Sequence, residues 1–104
     1  MKIVTKKSIK RECWNLDYQL VKWLNEHLKV YLKTAGKHVD LTFHTFWIGN
    51  KKLTQEQCIR RLIEITDFLK DHNYDWTLDG ANNLINLKDE MYDILQKIHF
   101  SLWW

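Results

Sequence analysis

The stretch TQEQCIRRLIEITDFL, from Thr54 to Leu69, decides the fold of this chain. Thr54 and Gln57 have the spacing of a capping box, in which each side chain bonds the backbone amide of the other residue at a helix start. Apolar residues then recur at steps of three and four along one line, at Cys58, Leu62, Ile65 and Leu69. This period is that of a helix face turned towards a core. We therefore predict an amphipathic helix over about residues 55–71.

A first helix is predicted upstream of this stretch. Asn15 has the side chain of an N-cap, and the carboxylate of Asp17 would lie in the first turn, where the helix dipole favours negative charge. Gly36 is placed to end the helix, which gives bounds of about 15–35. The expected buried stripe consists of Leu16, Leu20, Trp23, Leu24, Leu28 and Tyr31. Trp14 precedes the cap, and we expect it to fold back onto this stripe.

The linker between these two helices, residues 37–53, is rich in aromatic side chains. It shows two patterns, an alternation typical of a strand at Val39, Leu41 and Phe43 and a helical spacing at Phe43, Phe46 and Trp47. Short apolar runs leave this choice open. We favour an ordered loop or a single turn that covers one end of the core.

A third helix completes an all-α architecture. The apolar period resumes after Asp79-Gly80 and predicts a helix over about 81–102. With 104 residues, 45% of them hydrophobic and 28% charged, the chain has the size and balance of one globular domain. The absence of proline permits long helices. We expect a basic N-terminal arm at residues 1–12 and one helical domain at residues 13–104.

Basic residues form two clusters that are candidate nucleic-acid contacts. The first is in the arm, at Lys6, Lys7, Lys10 and Arg11, and the second comprises Lys51, Lys52, Arg60 and Arg61. Contacts of this kind neutralise phosphates without reading sequence. No helix-turn-helix is evident, and the C-terminal part of the chain is acidic, so a solubilising arm is the competing interpretation.

Residues 71–82 partly resemble a calcium-binding loop. Side-chain oxygens alternate at Asp71, Asn73, Asp75, Thr77 and Asp79. However, an EF-hand loop needs glycine at its sixth position and glutamate at its twelfth, where this chain has Trp76 and Asn82. A solvated connector between helices is the expected structure, and a weak cation site is the alternative.

No catalytic or cofactor-binding motif is found. The histidines form no HExxH or Cys/His zinc pattern, and the chain contains neither a P-loop nor a GxGxxG stretch. The group His38, Asp40 and His44 is the nearest approach to an acid-base or metal cluster. We therefore expect a protein that is not an enzyme and that carries no metal or cofactor.

Three tryptophans are candidate anchors for a partner protein: Trp76, Trp103 and Trp104. Tryptophan is enriched among the residues that carry binding energy at interfaces. The alternative is that these rings close a small core. The sequence has no apolar run of about 18 residues and no apolar signal-peptide centre, so we expect a cytoplasmic protein that does not enter a membrane.

A tryptophan motif opens the first predicted helix, which reads Trp14-Asn15-Leu16-Asp17 and continues with Leu20, Val21, Trp23, Leu24, Leu28 and Tyr31. In this motif the chain resembles a family of small phage-encoded proteins of no assigned function, whose members open with W-S/T/N-L-D and continue with W-I/L. The resemblance extends to the spacing of Cys58, Leu62, Ile65 and Leu69 and to the ending Leu102-Trp103. The chain departs from the family at Glu26-His27, where members have Pro-Arg, at Gly36-Lys37-His38, and at Cys58, where they have tryptophan.

The resemblance implies a phage or prophage origin and the cytoplasm of a bacterial host. It implies no catalytic residue. The expected function is that of an accessory protein that binds a host or phage macromolecule, with inhibition as one form of action. Binding of nucleic acid through the basic arm is the second hypothesis.

The position of Trp14 can be tested by its removal. If the ring is buried on the first helix, Trp14→Ala should lower the free energy of unfolding by about 3–5 kcal/mol, because a large cavity remains. Urea denaturation followed by circular dichroism measures this loss. A loss below about 1 kcal/mol would instead indicate an exposed, partner-facing tryptophan.

Overall fold

The computed structural model describes Cys13, residues 16–71 and residues 78–102. The described part forms three helices and one hairpin, with α1 at Leu16–Ala35, β1 at Thr45–Ile48, β2 at Lys51–Thr54, α2 at Gln55–Asp71, α3 at Leu78–Ile98 and a 3-10 turn at His99–Ser101. The fold is mainly helical, which confirms the three predicted helices, but the predicted all-α class is corrected by the two-stranded antiparallel hairpin. The basic arm, Trp14 and Asn15 lie outside the described residues.

The central helix α2 follows its sequence-based prediction. The backbone amide of Thr54 donates to Gln57 Oε1 at 2.9 Å, and the amide of Gln57 donates to Thr54 Oγ1 at 3.2 Å, which confirms the capping box. Three residues of the predicted core line, Cys58, Leu62 and Ile65, are at most 1% exposed, whereas the fourth, Leu69, is half-buried. The predicted bounds, 55–71, are confirmed.

Both other helices pack against α2 and make few contacts with each other. Their directions are shown by the carbonyl of Ser101, which accepts hydrogen bonds from Gln55 Nε2 at 2.7 Å and from the Tyr31 hydroxyl at 3.4 Å. The later part of α1, the start of α2 and the segment after α3 therefore meet at one end. It follows that α2 runs antiparallel to both neighbours. From α3, the core receives Met91, Ile94 and Ile98.

A buried polar cluster joins α1 to α2. Asn25 is fully buried, and its Nδ2 donates to Thr66 Oγ1 and to Asp67 Oδ1, each at 2.9 Å. Its Oδ1 accepts a hydrogen bond from Lys70 Nζ at 3.3 Å. Since a buried amide without partners costs free energy, this network favours one alignment of the two helices.

The hairpin replaces the loop or single turn expected in the linker. Its two-residue turn begins at Gly49, whose φ of 61° is the left-handed conformation that such turns require. Phe46 pairs with Leu53, and both pack against the core, whereas Trp47 pairs with Lys52 on the exposed face. The polar sequence of β2 shows no apolar alternation, so the periodicity did not reveal the hairpin.

The helix ends differ from prediction in three details, the first of which is that α3 ends at Ile98, before the 3-10 turn, instead of at residue 102. α3 begins at Leu78 instead of residue 81, so Gly80 lies in its first turn, whereas the full propensity cost of glycine applies to a helix interior. Gly36 follows α1 as predicted, but it is not in the left-handed conformation. A Cβ at Gly36 would lie 2.8 Å from the carbonyl oxygen of Leu32, so close approach explains the glycine.

Both cysteines are free thiols, in contrasting environments. Cys13 is exposed, whereas Cys58 is completely buried in α2. Burial raises the pKa of the Cys58 thiol because it disfavours the charged thiolate. Since the thiolate is the reactive form, Cys58 acts as a small apolar core residue.

The polar cluster generates a stability prediction. Asn25→Ala should lower the free energy of unfolding by about 1–3 kcal/mol, because buried hydrogen-bonding groups lose their partner. The matched control is Glu26→Ala, an exposed position on the same helix, for which a change within about 0.5 kcal/mol is expected. Equal losses in the two variants, measured by urea denaturation, would contradict the role given to Asn25.

Candidate binding surfaces

An apolar groove separates the first half of α1 from α3. Its volume is about 450 Å³, and Leu69 of α2 contributes to its lining. The two walls are apolar, with Leu16, Leu20 and Val21 on α1 and Leu84, Ile85, Met91 and Tyr92 on α3. Asp17 and Lys88 are the charged residues of the lining. The groove exists because α1 and α3 both pack on α2 but do not close on each other.

A second apolar groove, of about 510 Å³, borders the following turns of α1. Its lining is Trp23, Leu24, Glu26, His27, Leu28, Val30, Tyr31, Thr34 and Leu102. Together the two grooves run along most of α1, and we call them the α1 groove. Its lining is chiefly apolar, so it is suited to an apolar partner surface.

The residues of α1 next to this groove form an exposed stripe. Steps of four and three alternate through Leu16, Leu20, Trp23, His27 and Val30. The exposed fractions are 58% for Leu16, 49% for Leu20 and 56% for Trp23, so the prediction that these three residues are buried is wrong. The physical reason is that α1 contacts α2 through another side of the helix, where Asn25, Leu28 and Ala35 are buried.

Two rings of this stripe form a stacked pair. The centroids of the Trp23 and His27 rings are 3.9 Å apart, and the ring planes differ by 21°. His27 Nδ1 donates a hydrogen bond to the carbonyl of Trp23 at 2.7 Å, which holds the imidazole in place. The groove edge thus presents a flat aromatic surface that is set within one helix turn.

A second exposed surface lies on the hairpin and the residue stretch before it. Phe43 is 75% exposed and Trp47 is 62% exposed, and His44 between them is also exposed. Lys52 lies opposite Trp47 in the strand pairing. This surface combines aromatic rings with positive charge, unlike the α1 groove.

The second cluster of candidate nucleic-acid contacts is divided by ion pairing. Arg61 donates to both carboxylate oxygens of Glu90, at 2.5 and 2.8 Å, and also binds Glu64. Arg60 pairs with Glu56 at 3.0 Å. By contrast, Lys51 and Lys52 are exposed and form no salt bridge within the described part of the chain. Arm residues Lys6, Lys7, Lys10 and Arg11 lie outside it.

The group His38, Asp40 and His44 is not arranged around a shared ligand. Asp40 Oδ1 accepts hydrogen bonds from the amide of Thr42 at 2.9 Å and from its hydroxyl at 2.6 Å. These bonds, chiefly that from the hydroxyl, lower the pKa of the Asp40 carboxyl. Asp40 therefore closes its own local turn.

The structure describes only part of the candidate cation loop at residues 71–82 and none of the three candidate tryptophan anchors. α2 ends at Asp71 and α3 begins at Leu78, so residues 78–82 of the candidate loop are helical. Residues 72–77, including Trp76, lie outside the described residues, as do Trp103 and Trp104. Among the residues described, no three His, Cys, Asp or Glu side chains are placed to share a metal ion. No helix of this part of the chain is long and apolar enough to cross a membrane.

Two signals in the sequence could have revealed the surfaces that periodicity missed. The alternating four-three spacing of the exposed α1 stripe is that of a helix seam facing another helix. The dipeptide Gly49-Asn50, between the apolar run ending at Ile48 and Lys51–Thr54, is a signal for a two-residue hairpin turn. Neither signal was used in the prediction, because the helical period of the apolar residues was the more prominent pattern.

Comparison of the chain with protein-family models, with curated proteins and with solved structures gives no match. The resemblance to small phage-encoded proteins therefore stays a prediction.

The ion pair between Arg61 and Glu90 predicts a pH dependence of stability. The hydrogen bonds from Arg61 are the chief reason that the pKa of Glu90 lies below its ordinary value, against the opposing effect of burial. A carboxyl whose pKa is lower in the folded than in the unfolded chain stabilises the fold. Its full contribution is present at pH values above the pKa of the unfolded state, about 4.3. This contribution is lost as the pH falls through the lower folded pKa.

The stability advantage of the parent over Glu90→Gln should therefore shrink on acidification through that window. Arg61→Gln should remove the same pH-dependent component, and the double variant should lose no further part of it. Urea denaturation at a series of pH values measures these differences. A stability difference that does not change with pH would contradict the assignment.

Proposed function

We propose that this chain is a small phage or prophage accessory protein that acts by non-enzymatic binding to a host or phage macromolecule. Inhibition of that macromolecule is one form that the action could take. The observation that supports binding is the α1 groove, with its exposed stripe of apolar side chains. The occupant that suits it is an amphipathic helix of a partner protein.

The arrangement of the helices supports a helical occupant. α1 and α3 lie on α2 without closing on each other, so a further helix could pack between them. Helix-in-groove recognition uses apolar anchors spaced by three and four residues. The exposed stripe of α1, from Leu16 to Val30, has the same spacing and would interlock with such anchors.

Exposure in the stripe also supports an interaction surface. Single exposed apolar residues are ordinary, but neighbouring ones that form a groove mark contact sites. Trp23 stacks on His27 at the groove edge, and a large rigid ring is a frequent anchor of binding energy. The phage origin and the bacterial cytoplasm rest on the sequence resemblance alone, which begins at Trp14-Asn15-Leu16-Asp17 and extends to the spacing in α2 and to the ending Leu102-Trp103.

Nucleic-acid binding through the basic arm is the second candidate function. It is favoured by the positive charge at Lys6, Lys7, Lys10 and Arg11, to which Lys51 and Lys52 add. A weak cation site at residues 71–82 is the third candidate, and its support is the alternation of oxygen-bearing side chains in the sequence.

The protein-binding proposal is tested by affinity capture with three versions of the full chain. The parent should retain a stoichiometric protein from bacterial lysate, and Leu20→Lys should lose it because a charge in the groove opposes apolar contact. Trp23→Ala should weaken capture, whereas Trp47→Ala is the matched control, since Trp47 is as exposed but lies on the hairpin. Capture that is absent, or that survives Leu20→Lys, would count against the proposal. Far-UV circular dichroism of each variant confirms that the helices are kept.

The two other candidates need separate measurements. Arm binding predicts retention on heparin that falls when Lys6, Lys7, Lys10 and Arg11 are replaced by alanine, and unchanged retention would overturn it. A cation site predicts that calcium raises the Tm of the parent and that Asp75→Ala abolishes the rise. No rise in the parent would end that hypothesis.

A further inference from the structure

We propose that the outer face of the β1–β2 hairpin, with the exposed segment just before it, is a second binding site, which takes single-stranded nucleic acid by stacking bases on Trp47 beside Lys52 and on Phe43. This site is separate from the α1 groove. It does not depend on the protein partner proposed for that groove, nor on the basic arm.

The strand register places an aromatic ring and a positive charge side by side. Trp47 and Lys52 are directly opposite each other in the antiparallel pair, so both side chains project from the same face. Both are exposed, and Trp47 has 62% of its surface open to solvent. A base stacked on this ring would therefore have its phosphate within reach of a lysine.

Phe43 supplies a second ring close by in the chain. It is 75% exposed, and its ring meets that of His44 edge to face, with centroids 5.0 Å apart. The segment is anchored behind these rings, because the amide of Gln55 donates to the carbonyl of His44 at 3.1 Å and the amide of Glu56 donates to that of Leu41 at 2.9 Å. The exposed rings thus stand on a fixed backbone.

The fold does not require these rings to be aromatic. The inner face of the hairpin carries Phe46, Ile48 and Leu53, which pack against the core and hold the sheet in place. Trp47 and Phe43 point away from that core and contribute exposed surface instead. A single exposed ring is ordinary, but Trp47 combines exposure with a lysine directly opposite it, which is the pairing that a stacked nucleotide needs.

The charge of this region favours a phosphate-bearing ligand. Between His27 and Gln55 the chain has five lysines and a single acidic residue. Lys29 pairs with Asp67, but the remaining four form no salt bridge within the described residues, namely Lys33, Lys37, Lys51 and Lys52. The acidic residue, Asp40, is bonded to Thr42 in its own turn. Lys52, which lies directly opposite Trp47, is therefore available to a phosphate.

Single strands fit this combination better than duplexes. An unpaired base exposes its flat face to an aromatic ring, whereas stacking within a duplex hides both faces of each base. Stacking on aromatic side chains together with lysine contacts to the backbone is the general mode of sequence-tolerant single-strand binding. A duplex offers phosphates to the lysines but nothing to Trp47.

The test is fluorescence anisotropy of a labelled oligothymidine titrated with the full chain. Trp47→Ala should weaken binding by about fivefold to about 100-fold, as expected for loss of one stacked base. Trp47→Phe should restore most of the affinity. The matched control is Trp23→Ala, which removes a ring of similar exposure from the α1 groove and should leave oligonucleotide binding unchanged.

Charge is tested in the same titration at several salt concentrations. Lys52→Gln should reduce the slope of log affinity against log salt by about 0.7, the value for one phosphate on a single strand. An excess of unlabelled duplex should compete weakly, and thermal unfolding should show that Trp47→Ala keeps the parent's stability.

Three results would overturn the proposal. They are a parent that does not bind the oligonucleotide, equal losses for Trp47→Ala and Trp23→Ala, and binding that depends on the arm lysines but not on Trp47. The last result would support the basic-arm hypothesis instead. Because the protein partner is tested with Leu20 and the oligonucleotide with Trp47, failure of one proposal is distinguishable from failure of the other.

Discussion

The packing of both neighbouring helices on α2 is the constraint on which the rest of the structure depends. α2 is buried at Cys58, Ile59, Leu62, Ile65 and Thr66, so it supplies the shared part of the core. α1 and α3 each satisfy their burial by contact with this one helix, and Asn25 aligns α1 through hydrogen bonds that apolar packing alone would not specify. Because α1 and α3 contact α2 and make few contacts with each other, an open space remains between them.

Local and non-local features of the sequence were not equally predictable. The start of α2 follows from a short-range rule, since a cap needs residues only three positions apart, as at Thr54 and Gln57, whereas the predicted ends of α3 lie three and four residues from the observed ones. Periodicity shows that Leu20 and Trp23 are apolar and lie on one side of α1, but it does not show which neighbour covers them. The partner of β1 is likewise a polar strand, recognisable only through the turn at Gly49.

Ion pairing turns a broad charge asymmetry into two distinct surfaces. The forked guanidinium of Arg61 binds both oxygens of the Glu90 carboxylate, so the charge of Arg61 is paired in a contact between α2 and α3. The lysines near the hairpin have no such match among the described residues. The hairpin therefore presents rings and positive charge, whereas the surface along α1 presents apolar side chains.

The contrast between Cys13 and Cys58 provides a chemical measure of how often the core opens, with Cys13 as the exposed reference. A thiol reagent reaches exposed Cys13 directly, but it reaches Cys58 only when α2 separates from its neighbours. The modification rate at Cys58 therefore follows the population of molecules in which the shared core has opened, a quantity related to the free energy of that opening. A ligand that fills the space beside α1 would slow this reaction without touching the sulfur atom.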